Sequence, residues 1–256
     1  MARTAEIIAF LDQLLDAASF SDYGPNGLQV PGRNEVTSIV TGVSAHAPLI
    51  EAAAGHGVGM VLVHHGLFWR GDPLEITAVK HARLKPLYSH EIALAAYHLP
   101  LDAHPVHGNN ALLAAGIGAG ELEPFGAHDG RTIGIRARFP EPGGIAAATL
   151  VERVRDTVGG RDPLVIAAPS GRPVETIAIV SGGGNSFMQE AITAGCDAFL
   201  TGEPTEWAFG LATDADITYI AAGHHASETL GVRRLGELLT DRFGVEHRFV
   251  DTHNPI

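Results

Sequence analysis

Residues 39–65 have the sequence IVTGVSAHAPLIEAAAGHGVGMVLVHH. The apolar run Ile39–Val43 predicts a buried strand, and the alanine-rich stretch Pro48–Ala54 predicts a helix that the following glycines end. A second apolar run, Met60–Val63, predicts another buried strand. Parallel strands that are covered on both faces have such unbroken apolar runs, so the segment is typical of a βαβ unit.

The second half of the chain contains a similar segment. Ile179–Gly182 resembles Ile39–Gly42, and each is followed by a predicted helix and a second apolar strand. In this comparison His64 falls opposite Glu203. Strands and helices alternate along most of the chain, which favours an α/β fold with two similar βαβ-containing lobes in a three-layer α/β/α style.

Length and composition exclude several classes of protein. With 256 residues the chain has room for one to two domains. A formal net charge of −12 argues against duplex DNA or an anionic membrane surface as the main partner. Cys196 is the single cysteine, so an internal disulfide framework and a thiolate-rich zinc site are excluded. No run approaches the roughly 20 apolar residues that span a bilayer, and the N-terminus lacks a targeting pattern, so we expect a soluble cytoplasmic protein.

Histidine is unusually frequent, with 14 residues in the chain. Two of them, His64 and His65, directly follow the predicted strand that ends at Val63. Consecutive side chains of an extended strand point to opposite faces, so one metal ion rarely binds both. A turn after the strand, or two neighbouring metal ions, would remove this conflict. The alternative for the pair is one buried, hydrogen-bonded histidine and one surface histidine.

Two further groups of polar residues follow predicted strands. Asp102 comes after the strand Ile92–Tyr97 and lies too far from the helix that begins near Asn109 to be a simple N-cap, which favours a role as a ligand or ion-pair partner. His224 and Glu228 share one helix face if the helix already includes His224, although Glu228 could instead complement the helix dipole. Ligands of α/β proteins bind at the carboxyl ends of strands, so the three groups together favour a metal site.

The candidate ligands are three imidazoles and two carboxylates. They are His64, His65, Asp102, His224 and Glu228. Nitrogen and oxygen ligands without thiolates favour zinc, iron, manganese, cobalt or nickel. Five ligands are too many for one zinc ion that keeps an open position, whereas two divalent ions about 3.5–4 Å apart can share carboxylates and activate water. The set therefore predicts a dinuclear centre and hydrolytic chemistry.

Several of these residues also carry a resemblance to a known family. The chain resembles the Nif-three-like dinuclear metal-centre proteins, also called GTP cyclohydrolase I type 2 homologues, and in particular their short bacterial YbgI-type branch. The matching pieces are Asn26–Val30, His64-His65, Leu101-Asp102, Gly108–Asn110, Gly202-Glu203 and Gly223–Glu228. Where members of the family often have an Asp–Thr pair after the first long strand, this chain has Ser44 and Ala45.

The resemblance implies that the same five residues bind two divalent ions per chain, in a central site between two α/β lobes. It also implies a homohexameric toroid built as a trimer of dimers. We expect an N-terminal lobe at 1–125 and a C-terminal lobe at 126–256, with a boundary that is not sharp and lobes that could interlock. The N-terminal lobe then carries His64, His65 and Asp102, and the C-terminal lobe carries His224 and Glu228.

Other residues near the predicted strand ends have two possible roles. Glu203 is a candidate catalytic residue that transfers a proton or holds a ligand, and is otherwise a carboxylate at a helix N-terminus. The glycine-rich loop Ser181–Asn185 could bind a phosphate through its backbone amides, or be a tight turn. His98, His104 and His107 could orient Asp102 or contact the substrate, or could be ordinary core or surface histidines.

Two classes of function remain open on this basis. The first is a metal-dependent hydrolase that acts on a nucleotide or another phosphorylated small molecule, with GTP ring opening as the reaction that the family label implies. The second is a non-enzymatic, oligomeric metal-binding scaffold that delivers metal or binds a partner protein. Nucleic-acid binding conflicts with the net charge of −12.

Overall fold

The computed structural model describes all 256 residues, Met1–Ile256. The strands are β1 (Ala2–Arg3), β2 (Gly27–Val30), β3 (Glu35–Val36), β4 (Ser38–Ser44), β5 (Met60–His65), β6 (Ala93–Ala96), β7 (Gly120–His128), β8 (Arg131–Arg138), β9 (Leu164–Ile166), β10 (Thr176–Val180), β11 (Ala198–Thr201), β12 (Thr218–Ala221) and β13 (Glu246–Phe249). The α-helices are α1 (Thr4–Leu14), α2 (Ala47–His56), α3 (Ala78–Ser89), α4 (Leu99–Ala103), α5 (Asn109–Gly116), α6 (Ala147–Thr157), α7 (Met188–Thr193), α8 (Trp207–Asp214), α9 (His224–Ser227) and α10 (Thr229–Phe243). Short 3-10 helices cover Ala17–Ser19 and Gly184–Phe187. None of the helices combines the length and the apolar character that crossing a membrane requires.

The chain divides into two compact units. Unit 1 comprises Met1–Leu101 and Gly231–His253, and unit 2 comprises Asp102–Leu230 and Asn254–Ile256. Each unit contains a mixed sheet with helices packed on it, so the expected α/β class is confirmed.

Unit 1 is built on a five-stranded sheet in the order β13-β4-β5-β6-β2, in which only β2 runs antiparallel to its neighbour. The side chains of β4 and β5 alternate between two apolar layers. Ile39 and Leu62 lie in the layer that includes α1 and α10, whereas Val40 and Val61 lie in the layer that includes α2 and α3. Burial on both faces explains the unbroken apolar runs of the sequence, and unit 1 is a three-layer α/β/α structure.

Unit 2 is built on a six-stranded sheet in the order β7-β8-β10-β11-β12-β9. The central strands β10, β11 and β12 are parallel, and β8 and β9 run antiparallel to them on either side. One face buries Ile177, Leu200 and Ile220 against apolar side chains of α5 and α6, such as Leu113 and Leu150. Helices α7 and α8 contact β11 and β12.

The two units repeat one topology. In each, an antiparallel edge strand (β2 or β9) precedes three parallel strands (β4-β5-β6 or β10-β11-β12) and pairs with the third of them. The register also repeats, because Ile39 pairs with Met60 and Ile177 pairs with Ala198, at the same separation along the chain. A shared topology and register support the internal repeat that the sequence predicted.

The segments that follow each repeat are exchanged between the units. Helix α5 and the hairpin β7-β8 follow the first repeat, but Leu113 lies in the core of unit 2 and β8 pairs with β10. Helix α10 and β13 follow the second repeat, but Leu235 lies in the core of unit 1 and β13 pairs with β4. The units therefore differ from the expected lobes 1–125 and 126–256. Asp102 belongs to unit 2, because the chain passes into that unit ahead of helix α5. The apolar face of α5 is buried in the core of unit 2.

Candidate metal centre

In unit 1, strand β5 continues through both His64 and His65, where a strand ending at Val63 was expected. His64 is fully buried and His65 is half-buried. Their ring centroids lie 4.6 Å apart, even though the side chains of consecutive strand residues leave the backbone on opposite faces of the sheet. The two imidazoles therefore remain neighbours at the end of the strand without a turn between them.

The hydrogen bond of His64 fixes which of its ring nitrogens carries the proton. Nδ1 lies 3.0 Å from the carbonyl oxygen of Tyr97, at the end of the neighbouring strand β6. A carbonyl oxygen can only accept, so Nδ1–H donates and the neutral ring has its lone pair on Nε2. Metal-binding histidines commonly donate their second N–H in this way. His64 is therefore prepared to bind a metal ion through Nε2.

His65 is held by the end of the preceding strand. Its Nδ1 lies 3.1 Å from the hydroxyl of Ser44, the residue with which it pairs in the sheet. The hydroxyl of Ser44 thereby orients the imidazole. A hydroxyl can donate or accept a hydrogen bond, so this contact fixes the ring position and leaves both tautomers of His65 open.

His98 completes a group of three imidazoles in unit 1. Ligand nitrogens of His64, His65 and His98 all lie within 4.8 Å of one another. Nδ1 of His98 lies 2.7 Å from a carboxylate oxygen of Asp22. Burial raises the pKa of Asp22, but hydrogen bonds from His98, Asn26 and the backbone outweigh it, and the pKa lies below its usual value. From the sequence, His98 was a possible partner of Asp102 or the substrate, or an ordinary core or surface histidine. Its position just after β6 is the signal that could have placed it here.

Trp69 borders this group. Its ring centroid lies 5.8 Å from that of His65 and 5.1 Å from that of His98, to which it is perpendicular. The indole N–H donates to the carbonyl oxygen of Gly66 across 3.2 Å, which fixes the ring. An indole so close to two imidazoles is a natural fluorescent reporter for metal binding at them.

In unit 2, Asp102 lies in the short helix α4. Leu99 begins this helix, although a residue before a proline usually adopts an extended conformation. Proline is well tolerated in the first turn of a helix, because its missing N–H would have no partner there. The carboxylate oxygen Oδ1 of Asp102 accepts hydrogen bonds from Nδ2 of Asn109 at 2.8 Å and from the hydroxyl of Ser181 at 3.1 Å.

Asn110 connects the same elements through a second set of hydrogen bonds. Its Nδ2 donates to the backbone oxygens of Asp102 at 3.2 Å and Ile133 at 2.7 Å. Its Oδ1 accepts from the backbone N–H of Ser181 at 2.8 Å. Asn109 and Asn110 are both fully buried. Helix α4, helix α5 and the end of β10 are therefore locked together around the Asp102 carboxylate.

His224 and Glu228 form an i, i+4 pair, as the sequence predicted for a helix that begins at His224. Nε2 of His224 lies 3.2 Å from Oε1 of Glu228, and Nδ1 lies 2.6 Å from Oε1 of Glu203. Burial lowers the pKa of His224, but the two carboxylates outweigh it and raise the pKa to about 9. The carboxylate oxygens of Glu228 and Asp102 lie within 4.8 Å of each other. Unit 2 thus gathers one imidazole and two carboxylates.

The glycine-rich loop packs directly against these groups. Gly182 has a φ of +59°, and a Cβ there would collide with Oε1 of Glu228 and lie 3.0 Å from Nε2 of His224. Its backbone N–H donates to the hydroxyl of Ser227 across 3.1 Å. The hydroxyl of Ser181 donates to Asp102, so the loop supports the candidate ligand side chains.

The remaining histidines of this region form a separate pair. The rings of His104 and His107 are stacked at 4.9 Å. Nδ1 of His104 accepts from the backbone N–H groups of Val106 at 3.2 Å and His107 at 2.9 Å. Two donors at Nδ1 place the proton of the neutral ring on Nε2. Burial and the neighbouring His107 lower the pKa of His104.

The donor sets of both units fit divalent transition metals. Unit 1 presents imidazole nitrogens, and unit 2 presents carboxylates with one imidazole. Four of the five candidate ligands make a further hydrogen bond. His64 donates to the Tyr97 carbonyl and His224 donates to the Glu203 carboxylate. Asp102 accepts from Asn109, and His65 shares a hydrogen bond with Ser44. Such outer partners are typical of metal sites, because they fix the orientation of the ligand.

Comparison with known proteins places this geometry in a family. The chain is 45% identical over 244 residues to a Pseudomonas aeruginosa protein named GTP cyclohydrolase 1 type 2 homolog, and the match covers 95% of each chain. It is 40% identical over 256 residues to an Escherichia coli protein of the same name, and that match covers 99% of each.

Solved structures agree with these sequence matches. The fold is similar to that of the protein ybgI, of unknown function, with a TM-score of 0.92 and 37% identity over 99% of this chain and 100% of that one. It is also similar to a Thermus thermophilus protein, with a TM-score of 0.88 and 33% identity over the same shares. The family model described as Duf34/NIF3 (NGG1p interacting factor 3) matches residues 2–255. The chain therefore belongs to the Duf34/NIF3 family.

Proposed function

We propose that this chain is a dinuclear-metal-dependent hydrolase of a nucleotide or another phosphorylated small molecule. The proposed ligands of the two ions are His64, His65, Asp102, His224 and Glu228. The observation that carries the proposal is the grouping of ligands within each unit by itself. Unit 1 holds its imidazoles within 4.8 Å of one another, and unit 2 holds the carboxylates of Asp102 and Glu228 at the same separation.

We further propose that the candidate ligands of unit 1 and those of unit 2 serve one metal centre. The chain leaves unit 1 at Leu101 inside helix α4 and returns to it at Gly231 inside helix α10. Asp102 is the first residue after one crossing, and Glu228 lies just before the other. We infer from the resemblance to the family that the ligands beside these crossings serve one centre.

The roles of the side chains follow from their hydrogen bonds. His64 would bind through Nε2, since Nδ1 donates to Tyr97. Asp102 would bind mainly through Oδ2, since Oδ1 already accepts from Asn109 and Ser181. A pair of divalent ions, when bound, activates water and polarises the bond to be broken.

Glu203 serves the proposed centre in two ways. Its Oε1 holds Nδ1 of His224 at 2.6 Å, which directs Nε2 of the ring towards Glu228. Its side chain is 40% exposed, so the carboxylate is also accessible to move a proton to or from the substrate. We assign it the role of positioning His224 first and of proton transfer second.

The names of the relatives suggest the substrate class. Curated relatives at about 40% identity are named GTP cyclohydrolase 1 type 2 homolog. Opening of a purine ring is a hydrolysis, and it suits a centre that activates water. We further propose that the chain assembles as a homohexamer, a trimer of dimers in the form of a toroid, and works in the cytoplasm. The mass of the protein in solution tests this assembly.

Metal analysis combined with a substrate screen tests the function. The protein is purified without added metal and analysed for metal content, then loaded with metal and assayed against a panel of nucleotides. We expect two ions per chain and turnover of at least one nucleotide. His64→Ala should lose both, whereas His81→Ala, an exposed histidine of α3, should lose neither.

Each contrary result has a definite meaning. Equal turnover by the wild-type protein and His64→Ala would remove the enzymatic proposal. Two tightly bound ions without turnover of any nucleotide would favour the metal-binding scaffold instead. At most one ion per chain, even after soaking with excess metal, would contradict the dinuclear centre itself.

A further inference from the structure

Arg161 differs from the other arginines of its neighbourhood. Its side chain is half-buried, yet it forms no ion pair and no hydrogen bond in the structure. Arg153 and Arg155 of the preceding helix pair with Glu141 at 2.7 Å and Asp162 at 3.1 Å. In a chain with a net charge of −12, a guanidinium without a carboxylate partner needs an explanation.

Arg161 packs on the backbone next to a proposed metal ligand. A Cβ at Gly223 would lie 2.6 Å from Nε and 2.9 Å from Cζ of Arg161. Gly223 has a φ of +98° and immediately precedes His224. The absence of a side chain at Gly223 therefore makes room for the guanidinium beside the first residue of α9.

The sheet topology places Arg161 at the same edge as the ligands. Strand β9 runs antiparallel to β12, and Leu164 pairs with Ala221. The amino end of β9, where Arg161 lies, is thus at the carboxyl end of β12. The parallel strands β10 and β11 end at that edge too, in Ser181 and in the loop that carries Glu203. Arg161 is therefore a cation at the edge where α/β sheets bind their ligands.

We propose that Arg161 binds a phosphate group of the substrate that is processed at this edge. The proposal rests on the proposed function and names the part of the substrate that this chain recognises. A guanidinium presents several N–H donors in a plane and pairs with phosphate oxygens through two parallel hydrogen bonds. The protein as a whole repels anions, so a cation beside the proposed metal ions would help to hold the phosphate. Arg161 is available for this role because no carboxylate of the protein pairs with it.

Binding of inorganic phosphate to the metal-loaded protein tests the proposal. Calorimetric titration compares the wild-type protein with Arg161→Gln, Arg161→Lys and Arg155→Gln. The last variant removes the same charge from an exposed arginine nearby. Charge-assisted hydrogen bonds contribute about 1.5–3 kcal/mol, so Arg161→Gln should weaken phosphate binding about tenfold or more. Arg161→Lys should weaken it less, and Arg155→Gln should leave it within about twofold of wild type.

Two further measurements separate this proposal from the metal centre. Metal content and thermal unfolding should be the same in all four proteins, because Arg161 binds no ligand side chain. The titration is repeated on metal-free protein, where a weaker phosphate affinity should still depend on Arg161. Equal phosphate affinity of the wild-type protein and Arg161→Gln, or no phosphate binding by the loaded wild type, would overturn the assignment. Failure of the wild-type protein to bind metal would instead count against the proposed function.

Discussion

Glu203 accepts a hydrogen bond from Nδ1 of His224 across 2.6 Å, and the opposite nitrogen of that ring faces Glu228 at 3.2 Å. The imidazole is therefore fixed between two carboxylates that lie on different elements of unit 2. Carboxylates that hold a metal-binding histidine in this way set both its tautomer and its basicity.

Glu203→Gln should weaken metal binding without preventing folding. The amide keeps the size of the side chain but removes the charge that supports the ring, and outer partners of metal ligands are typically worth about 10–100-fold in affinity. Competition with a chelator measures the change, and NMR titration of metal-free protein should show a lower pKa for His224. Glu206→Gln, an exposed carboxylate of the same loop, is the control. If both variants held metal equally well, Glu203 would have no part in the site.

Asn109→Ala should both destabilise the protein and weaken metal binding. Asn109 is fully buried and donates to Oδ1 of Asp102, so its loss leaves a buried acceptor with one donor fewer. Such a loss costs about 1–3 kcal/mol of unfolding free energy. Denaturant unfolding of the metal-free protein measures this cost, and chelator competition measures the affinity. Asn34→Ala changes an exposed asparagine and should alter neither.

Metal uptake at neutral pH should release a proton from His224. Its pKa of about 9 means that the ring is protonated at pH 7 in the metal-free protein, whereas a metal ligand must be neutral. The apparent metal affinity should therefore rise from pH 7 to about 9 and then level off. Calorimetry in two buffers with different ionisation enthalpies gives the number of protons released. A heat of binding that is independent of the buffer would contradict this protonation state.

The same raised pKa predicts how the stability of the metal-free protein depends on pH. The pKa of His224 rises from 6.5 to about 9 on folding, so its protonation favours the folded state. This contribution is complete below pH 6.5 and is lost as the pH rises towards 9. Thermal unfolding of the metal-free protein should show the loss, and His224→Gln should show a flatter profile over that range. The ring is partly exposed, so solvent screening reduces the size of the effect.

The central strands could be predicted from the sequence and the candidate ligand residues could be selected from it, because both leave local signals. Buried parallel strands read as unbroken apolar runs, and the predicted strands Ile39–Val43 and Met60–Val63 lie within β4 and β5. The edge strand β7 was missed, because the side chains of its first five residues are exposed and supply no apolar pattern. The helix that was expected to include His224 is the short α9, and α10 follows it directly after Glu228.

Contacts between distant segments could not be predicted. The sequence contains no sign that α5 and α10 are exchanged, since an apolar helix face fits the core of either repeat. The partners of Asp102 are similar in this respect. Asn109 lies near it in the chain, but Ser181 reaches it only through the folded sheet, and that serine was interpreted as part of a phosphate-binding loop or tight turn.

Adjacent glycines of that loop offer the sharpest test of the ligand geometry. Gly182 has a positive φ, and a Cβ there would collide with Glu228 and crowd His224, whereas a Cβ at Gly183 would have its nearest neighbour, Oε2 of Glu203, at 4.0 Å. Gly182→Ala should therefore displace the Glu228 carboxylate and lower metal content, with a cost in stability of about 1–3 kcal/mol from backbone strain. Gly183→Ala should be tolerated in both respects.

Metal analysis and thermal unfolding compare the metal content and the stability of the two alanine variants. The variants add the same methyl group one residue apart, so a general effect of stiffening the loop would change both equally. Only the packing of Gly182 against Glu228 and His224 predicts that one variant loses metal while its neighbour keeps it. Retention of full metal content by Gly182→Ala would mean that the Glu228 carboxylate can move without loss of the metal, and that it is not an essential ligand.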